Sequence, residues 1–241
     1  MELSDFLFFI LPIFILEVSA ALAGSHYLKK TIPRSRSTRH FVYFLWFTVF
    51  VEFIGSYAPI AYFSDYRYFT FIKGTPFENN FWWYQIYILV SFSFLVLYFI
   101  SFLKNTLLKR LFALLVVGFI ISSVIIYIYT DGFFKSTSQY ASITGTLLLF
   151  FSVILFYFEL LKSNLLLQLK RFLPFYLSVG VLAFNLCVTP VEIFSEYFNL
   201  EGGNNLFVKL RVNVLLYANI FMYAIFIVGF LICSRKKKSS Y

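Results

Sequence analysis

Two glutamates, Glu17 and Glu52, stand near the middle of long apolar stretches of the chain, and neither stretch contains a Lys or Arg. A charged side chain at the centre of a bilayer costs about 2.5 kcal/mol or more, so a carboxyl there indicates a functional site or a specific partner. Burial and like-charge proximity both disfavour ionisation. We therefore expect at least one of the two carboxyls to be protonated at pH 7.

Two interpretations of these glutamates stay open. If Glu17 and Glu52 lie at similar depth in adjacent antiparallel helices, the pair could bind a proton or a cation, or hold a polar ligand. Alternatively, each is a neutral carboxylic acid that is hydrogen-bonded to Thr48, Ser56 or a tyrosine hydroxyl.

Other polar side chains recur at helical spacing inside the apolar stretches, so they share faces of their helices. We predict an outward-opening polar cavity that is bounded by Glu52, Asn185, Glu192 and Asn219. Ordinary hydrogen bonding between helices, worth about 0.6 kcal/mol per contact, is an equally supported interpretation of the same residues.

Prolines and small residues indicate how these helices are shaped. Pro59 and Pro190 are expected to kink their helices and to free backbone carbonyl groups there. Ala20, Ala21 and Gly24 form a ridge of small residues near Glu17, which predicts close packing against a neighbouring helix.

The apolar stretches that hold these residues are long enough to cross a bilayer as helices. Hydrophobic residues make up 61% of the 241 residues and charged residues 13%, against roughly 25% charged in soluble domains. Lipid cannot satisfy backbone N–H and C=O groups, so continuously apolar spans must be helical. We predict an all-α polytopic protein, a single transmembrane domain over residues 1–241. Its seven helices are expected near Asp5–Gly24, Phe41–Phe63, Trp82–Leu103, Leu111–Tyr129, Ala141–Leu161, Phe172–Phe194 and Val212–Cys233.

The basic residues predict the orientation, because Lys and Arg accumulate in cytoplasmic loops. Fifteen of the 20 Lys and Arg residues, and no carboxylate, lie in the first, third and fifth loops and the C-terminal tail. This places the N-terminus outside and the C-terminus in the cytoplasm, and it explains the net charge of +9 without nucleic acid. The largest basic segments, a candidate face for lipid or a partner, contain Lys29, Lys30, Arg34, Arg36, Arg39, Arg235, Lys236, Lys237 and Lys238.

An internal repeat is a further interpretation of the pattern. With a shift of 131 positions, residues 58–66 (APIAYFSDY) align with residues 189–197 (TPVEIFSEY). The halves would be 1–104 and 136–235, joined by a linker helix over 111–129, in a parallel arrangement of the kind known in transporters. The chain contains 35 phenylalanines, so chance similarity is an equally open explanation.

The residues needed for enzyme chemistry do not occur in a recognisable spacing. The only histidines, His26 and His40, flank the first basic loop, and there is no HExxH or GxSxG motif. We therefore expect no catalytic residue, no metal and no cofactor.

Two segments of the chain resemble a known group of membrane proteins, and this resemblance bears on the topology. The segment 51–56 (VEFIGS), and the stretch from Asn219 to Cys233 that leads into basic residues, resemble a group of uncharacterised seven-span bacterial inner-membrane proteins. The resemblance implies a multi-pass protein of the inner (plasma) membrane and nothing about chemistry.

Two function classes follow from these features. The first is a non-enzymatic sensor-like module or subunit of a membrane complex, whose partners are the bilayer and another membrane or cytoplasmic protein. The alternative is a small-solute transporter or channel that uses the midplane carboxylates.

Overall fold

The computed structural model describes residues 3–31, 35–130, 132–134, 138–194 and 205–234. These residues form eight α-helices and three short 3-10 helices, which cover Thr70–Ile72, Gly132–Phe134 and Asn164–Arg171. The α-helices are α1 (Leu3–Lys30), α2 (Arg36–Gly55), α3 (Tyr57–Phe63), α4 (Phe81–Ile100), α5 (Thr106–Tyr129), α6 (Gln139–Leu161), α7 (Leu173–Phe194) and α8 (Asn205–Cys233).

Seven helical segments are long and apolar enough to cross a bilayer, with α2 and α3 together forming one of them. For the described residues, the prediction of an all-α chain with seven helices able to span a membrane is therefore confirmed, and the orientation stays a prediction. Four helices extend five residues or more beyond the predicted bounds: α1 continues to Lys30, and α2, α5 and α8 begin at Arg36, Thr106 and Asn205. Lys29 and Lys30 occupy the last turn of α1, where a cation is stabilised by the negative end of the helix dipole.

The break between α2 and α3 follows from Pro59. Proline has no N–H, so the carbonyl oxygen of Gly55, four residues earlier, loses its helical donor. That oxygen accepts a hydrogen bond from Nδ2 of Asn80 at 2.8 Å. The carbonyl group of Gly55 is therefore paired outside its own helix. Pro190 lies inside α7, which continues to Phe194, and a kink there stays a prediction.

The chain divides into two compact units. Unit 1 comprises Met1–Phe6 and Thr48–Phe156, and unit 2 comprises Leu7–Phe47 and Tyr157–Tyr241. Neither unit coincides with a predicted repeat half, and the repeat stays a prediction.

The core of unit 1 contains Phe119, Tyr127 and Ala141. The rings of Phe92 and Phe119 meet edge to face, with centroids 6.4 Å apart. Gln85 is fully buried, and its side-chain oxygen accepts the backbone N–H of Ser138 at 3.2 Å. This bond ties α4 to the start of α6.

The core of unit 2 includes the ridge of small residues on α1. Ala20 and Ala21 are fully buried. A Cβ atom added at Gly24 would lie 2.8 Å from Cγ2 of Val42 and 3.1 Å from the ring of Phe230. The close packing predicted for this ridge is therefore confirmed.

Candidate functional site

Glu17 is the most deeply buried carboxyl that the sequence singled out. Its side chain is 4% exposed, and its Oε1 accepts a hydrogen bond from the hydroxyl of Tyr223 at 2.9 Å. Tyr223 is itself buried, and its ring meets the ring of Phe226 edge to face at 5.9 Å. The bond joins α1 to α8 within unit 2, as the hydrogen-bonded interpretation expects.

Glu52 has an equivalent partner in unit 1. Its Oε2 accepts a hydrogen bond from the hydroxyl of Tyr84 at 2.8 Å. A Cβ at Gly55 would lie 2.7 Å from that hydroxyl oxygen, so glycine makes room for Tyr84. The hydroxyl of Ser56, a partner suggested by the sequence, donates to the backbone carbonyl of Glu52 at 2.8 Å.

The two asparagines predicted to bound a polar cavity make hydrogen bonds within their own helices. The side-chain amides of Asn185 and Asn219 each donate, at 2.8 Å, to the carbonyl oxygen four residues earlier in their own helix. Such back-bonding pairs one N–H of each amide without requiring a ligand. Glu52 belongs to unit 1, whereas the other three residues belong to unit 2. The shared cavity and the shared pair of Glu17 and Glu52 stay predictions.

Glu192 pairs with an arginine that the sequence placed in a loop. Arg211 lies inside α8, and its guanidinium donates to both carboxylate oxygens of Glu192 at 3.1–3.2 Å. Both side chains are partly exposed, so the pair is worth at most about 1 kcal/mol. The early start of α8 brings Arg211 opposite α7.

The predicted basic face is described only in part. Lys29 and Lys30 end α1, and Arg36 and Arg39 lie at the start of α2; all four are exposed. Arg34, Arg235, Lys236, Lys237 and Lys238 lie outside the described residues.

The connection between α3 and α4, residues 64–80, forms a site that the sequence did not reveal. Asp65 and Tyr66 adopt the left-handed conformation, with φ of 49° and 59°. That conformation is uncommon for a bulky residue such as tyrosine and costs about 1–2 kcal/mol. Glu78 stabilises it: Oε1 accepts from the Tyr66 hydroxyl at 2.6 Å, and Oε2 accepts from the Gly74 N–H at 2.9 Å. We call this set of bonds the Glu78 latch.

The charge state of the latch follows from these bonds. The hydrogen bond from Tyr66, supported by the Gly74 N–H and the nearby Lys73, holds the pKa of Glu78 below its ordinary value of 4.5. The same carboxylate raises the pKa of Tyr66 above 10.0. Glu78 therefore stabilises the connection above about pH 4.5, and that contribution is lost as the pH falls through its lowered pKa. Tyr66 contributes below about pH 10, and its contribution is lost as the pH rises through its raised pKa.

A cavity of about 750 Å³ lies in unit 1 beside the latch. Glu78 and Thr75 line it on the side of the connection. Its other walls come from α4, α5 and the 3-10 helix Gly132–Phe134, and include Ile86, Leu89, Val124, Tyr127, Phe133 and Phe134. Its size and lining are typical of a site for a small apolar molecule with a polar end.

Comparison with known proteins does not identify the chain. No known protein family, characterised protein or solved structure matches the chain. Its architecture is that of a multi-pass membrane protein with seven candidate spans. Across the part of the chain that the structure describes, no three His, Cys, Asp or Glu residues are grouped to hold a metal ion.

The Glu78 latch gives a testable prediction. We expect Tyr66→Phe to raise the rate of trypsin cleavage after Arg67 and Lys73 several-fold at pH 8, because the left-handed turn loses the bond that stabilises it. The measurement is mass spectrometry of the digest of the purified, detergent-solubilised chain. Tyr62→Phe is the matched control, since the exposed Tyr62 lies in the preceding helix. Equal cleavage rates in the two variants would contradict the role of the latch.

Proposed function

We propose that this chain is a non-enzymatic membrane protein that acts as a sensor-like module or as a subunit of a membrane complex. The observation that carries the proposal is the bond from Tyr223 to Glu17, at 2.9 Å between two buried side chains. A carboxyl that binds one helix to another is held in place, as a packed module requires. The distribution of basic residues supports an orientation with the N-terminus outside and the C-terminus in the cytoplasm, in the inner membrane.

The exposed basic residues indicate where a partner would bind. Lys29, Lys30, Arg36 and Arg39 lie at the end of α1 and the start of α2 and are all exposed. Four cations so close to the ends of two spans attract acidic protein surfaces or anionic lipid. The proposed partner is a membrane or cytoplasmic protein that presents acidic residues to this face.

Co-purification from native membranes tests the proposal. We expect the tagged chain to bring down a second protein in stoichiometric amount. Replacing the four cations by glutamine should remove most of it, because the attraction is electrostatic. The matched control replaces Arg67 and Lys73, which belong to the α3–α4 connection, by glutamine. A chain that is always purified alone would overturn the proposal.

A second candidate function rests on the position of Glu17 and Glu52 inside apolar helices, which also suits a transporter that binds a proton or cation. Proteoliposome flux separates the two candidates. We expect no flux of protons or monovalent cations above that of empty liposomes. A flux that is present in the wild type and absent from Glu52→Gln would favour the transporter instead.

A further inference from the structure

Three apolar side chains that line the cavity beside the Glu78 latch are exposed on candidate membrane-spanning helices. Ile86 lies near the start of α4, and Val124 and Ile128 lie in the last two turns of α5. All three line the cavity and are exposed, Ile128 by 70%. Apolar side chains exposed at the ends of spans contact lipid at the edge of the hydrocarbon region. A molecule would therefore enter sideways from one leaflet, which selects an amphiphile.

The polar side of the cavity carries a particular charge pattern. Glu78 contributes a carboxylate, and each of its oxygens accepts one described hydrogen bond. A carboxylate has about four acceptor sites, so it can accept further donors. The ammonium of Lys73 lies 5.3 Å from the centre of the Tyr66 ring, next to the latch. Lys73 interacts electrostatically with Glu78, and a negative group with a positive group nearby matches a zwitterionic headgroup.

Aromatic rings form part of the cavity wall. Tyr127, Phe133 and Phe134 line the cavity, and the ring of Phe133 packs on those of Tyr127 and Phe134 at 5.7 and 5.0 Å. Aromatic faces attract cations by about 0.5–2 kcal/mol. Aromatic rings combined with one carboxylate favour a headgroup that carries an ammonium group over a headgroup that carries none.

We propose that this cavity binds one zwitterionic aminophospholipid of the surrounding leaflet. Its ammonium group would contact Glu78, its phosphate would lie towards Lys73, and part of one acyl chain would lie between Leu89 and Val124. In the sensor-like module proposed above, this lipid would be the ligand that the module senses. The binding itself requires no partner protein, so it is tested separately from that role.

A titration of the purified full-length chain in maltoside detergent tests the proposal. Trp82 reports binding by its fluorescence, because its ring packs on Phe77 at 5.5 Å and Phe77 packs on Phe134 at 5.5 Å. We expect dihexanoyl-phosphatidylethanolamine to bind saturably, at least 10-fold more tightly than dihexanoyl-phosphatidylglycerol. Equal binding of the two lipids, or tighter binding of octylamine than of either, would overturn the proposal.

Variants locate the site and keep the test independent of the latch. Glu78→Gln should weaken binding of the phosphatidylethanolamine about 10-fold and leave the phosphatidylglycerol unchanged. Val124→Phe reduces the cavity from α5, where Val124 lines it, without removing a bond of the latch, and should weaken binding of the phosphatidylethanolamine at least 10-fold. Asp65→Asn removes a carboxylate of the same connection that does not line the cavity, and should bind as the wild type does. Wild-type affinity in Val124→Phe would show that the lipid binds elsewhere.

Discussion

Phe226→Ala is expected to destabilise the chain by about 3–5 kcal/mol, the cost of truncating a buried phenylalanine. Phe226 is 3% exposed, and its ring meets that of Phe41 edge to face at 5.5 Å. It also packs against α7, where a Cβ at Gly180 would lie 2.8 Å from its ring. Apolar helices gain no hydrophobic free energy by leaving lipid, so packing contacts of this kind carry their association.

The measurement is the free energy of unfolding of the purified chain in mixed micelles as denaturing detergent is added. Phe221→Ala is the matched control, because Phe221 lies on the same helix and is 49% exposed. Since its ring already contacts solvent or lipid, its loss should cost less than about 1 kcal/mol. Equal destabilisation by the two substitutions would show that α8 does not pack through Phe226.

The spans were predictable because their physics is local. A backbone in lipid must satisfy its own hydrogen bonds, so length and hydropathy alone determine which segments are helical. The carbonyl freed by Pro59 was predictable for a similar reason, since a missing N–H acts on the residue four positions earlier. Helix ends were less predictable: α8 begins at Asn205 and includes Arg211, because charged side chains at the interface can reach water while their backbone stays helical.

The partners of the buried carboxyls could be predicted only as a class. A tyrosine hydroxyl was one expected donor for Glu17, but 206 residues separate Glu17 from Tyr223, and no local pattern selects one tyrosine among 18. The Glu78 latch could not be predicted from the sequence for a different reason. A left-handed tyrosine at Tyr66 contradicts its local preference, and the carboxylate that accepts its hydroxyl belongs to Glu78, twelve residues later.

The second large effect on the free energy of unfolding is expected from Tyr223→Phe, which removes the hydrogen bond to Glu17. Tyr223→Phe keeps the ring that packs on Phe226 and removes the hydroxyl that donates to Oε1 of Glu17. A hydrogen bond between membrane helices is worth about 0.6 kcal/mol on average, whereas a buried acceptor deprived of its donor costs about 1–3 kcal/mol. We expect Tyr223→Phe to lower the free energy of unfolding by about 1–3 kcal/mol, because Glu17 is 4% exposed and water cannot readily replace the hydroxyl.

A double-mutant cycle separates this bond from general effects of substitution. Glu17→Gln should cost little, since its amide oxygen still accepts from Tyr223, whereas Glu17→Leu should remove most of the penalty of Tyr223→Phe when the two are combined. Tyr217→Phe, on the exposed side of α8, should change the free energy of unfolding by less than about 0.5 kcal/mol. If Tyr223→Phe were as neutral as Tyr217→Phe, Glu17 would not be held by this bond, and a mobile carboxyl would favour the transporter over the sensor-like module.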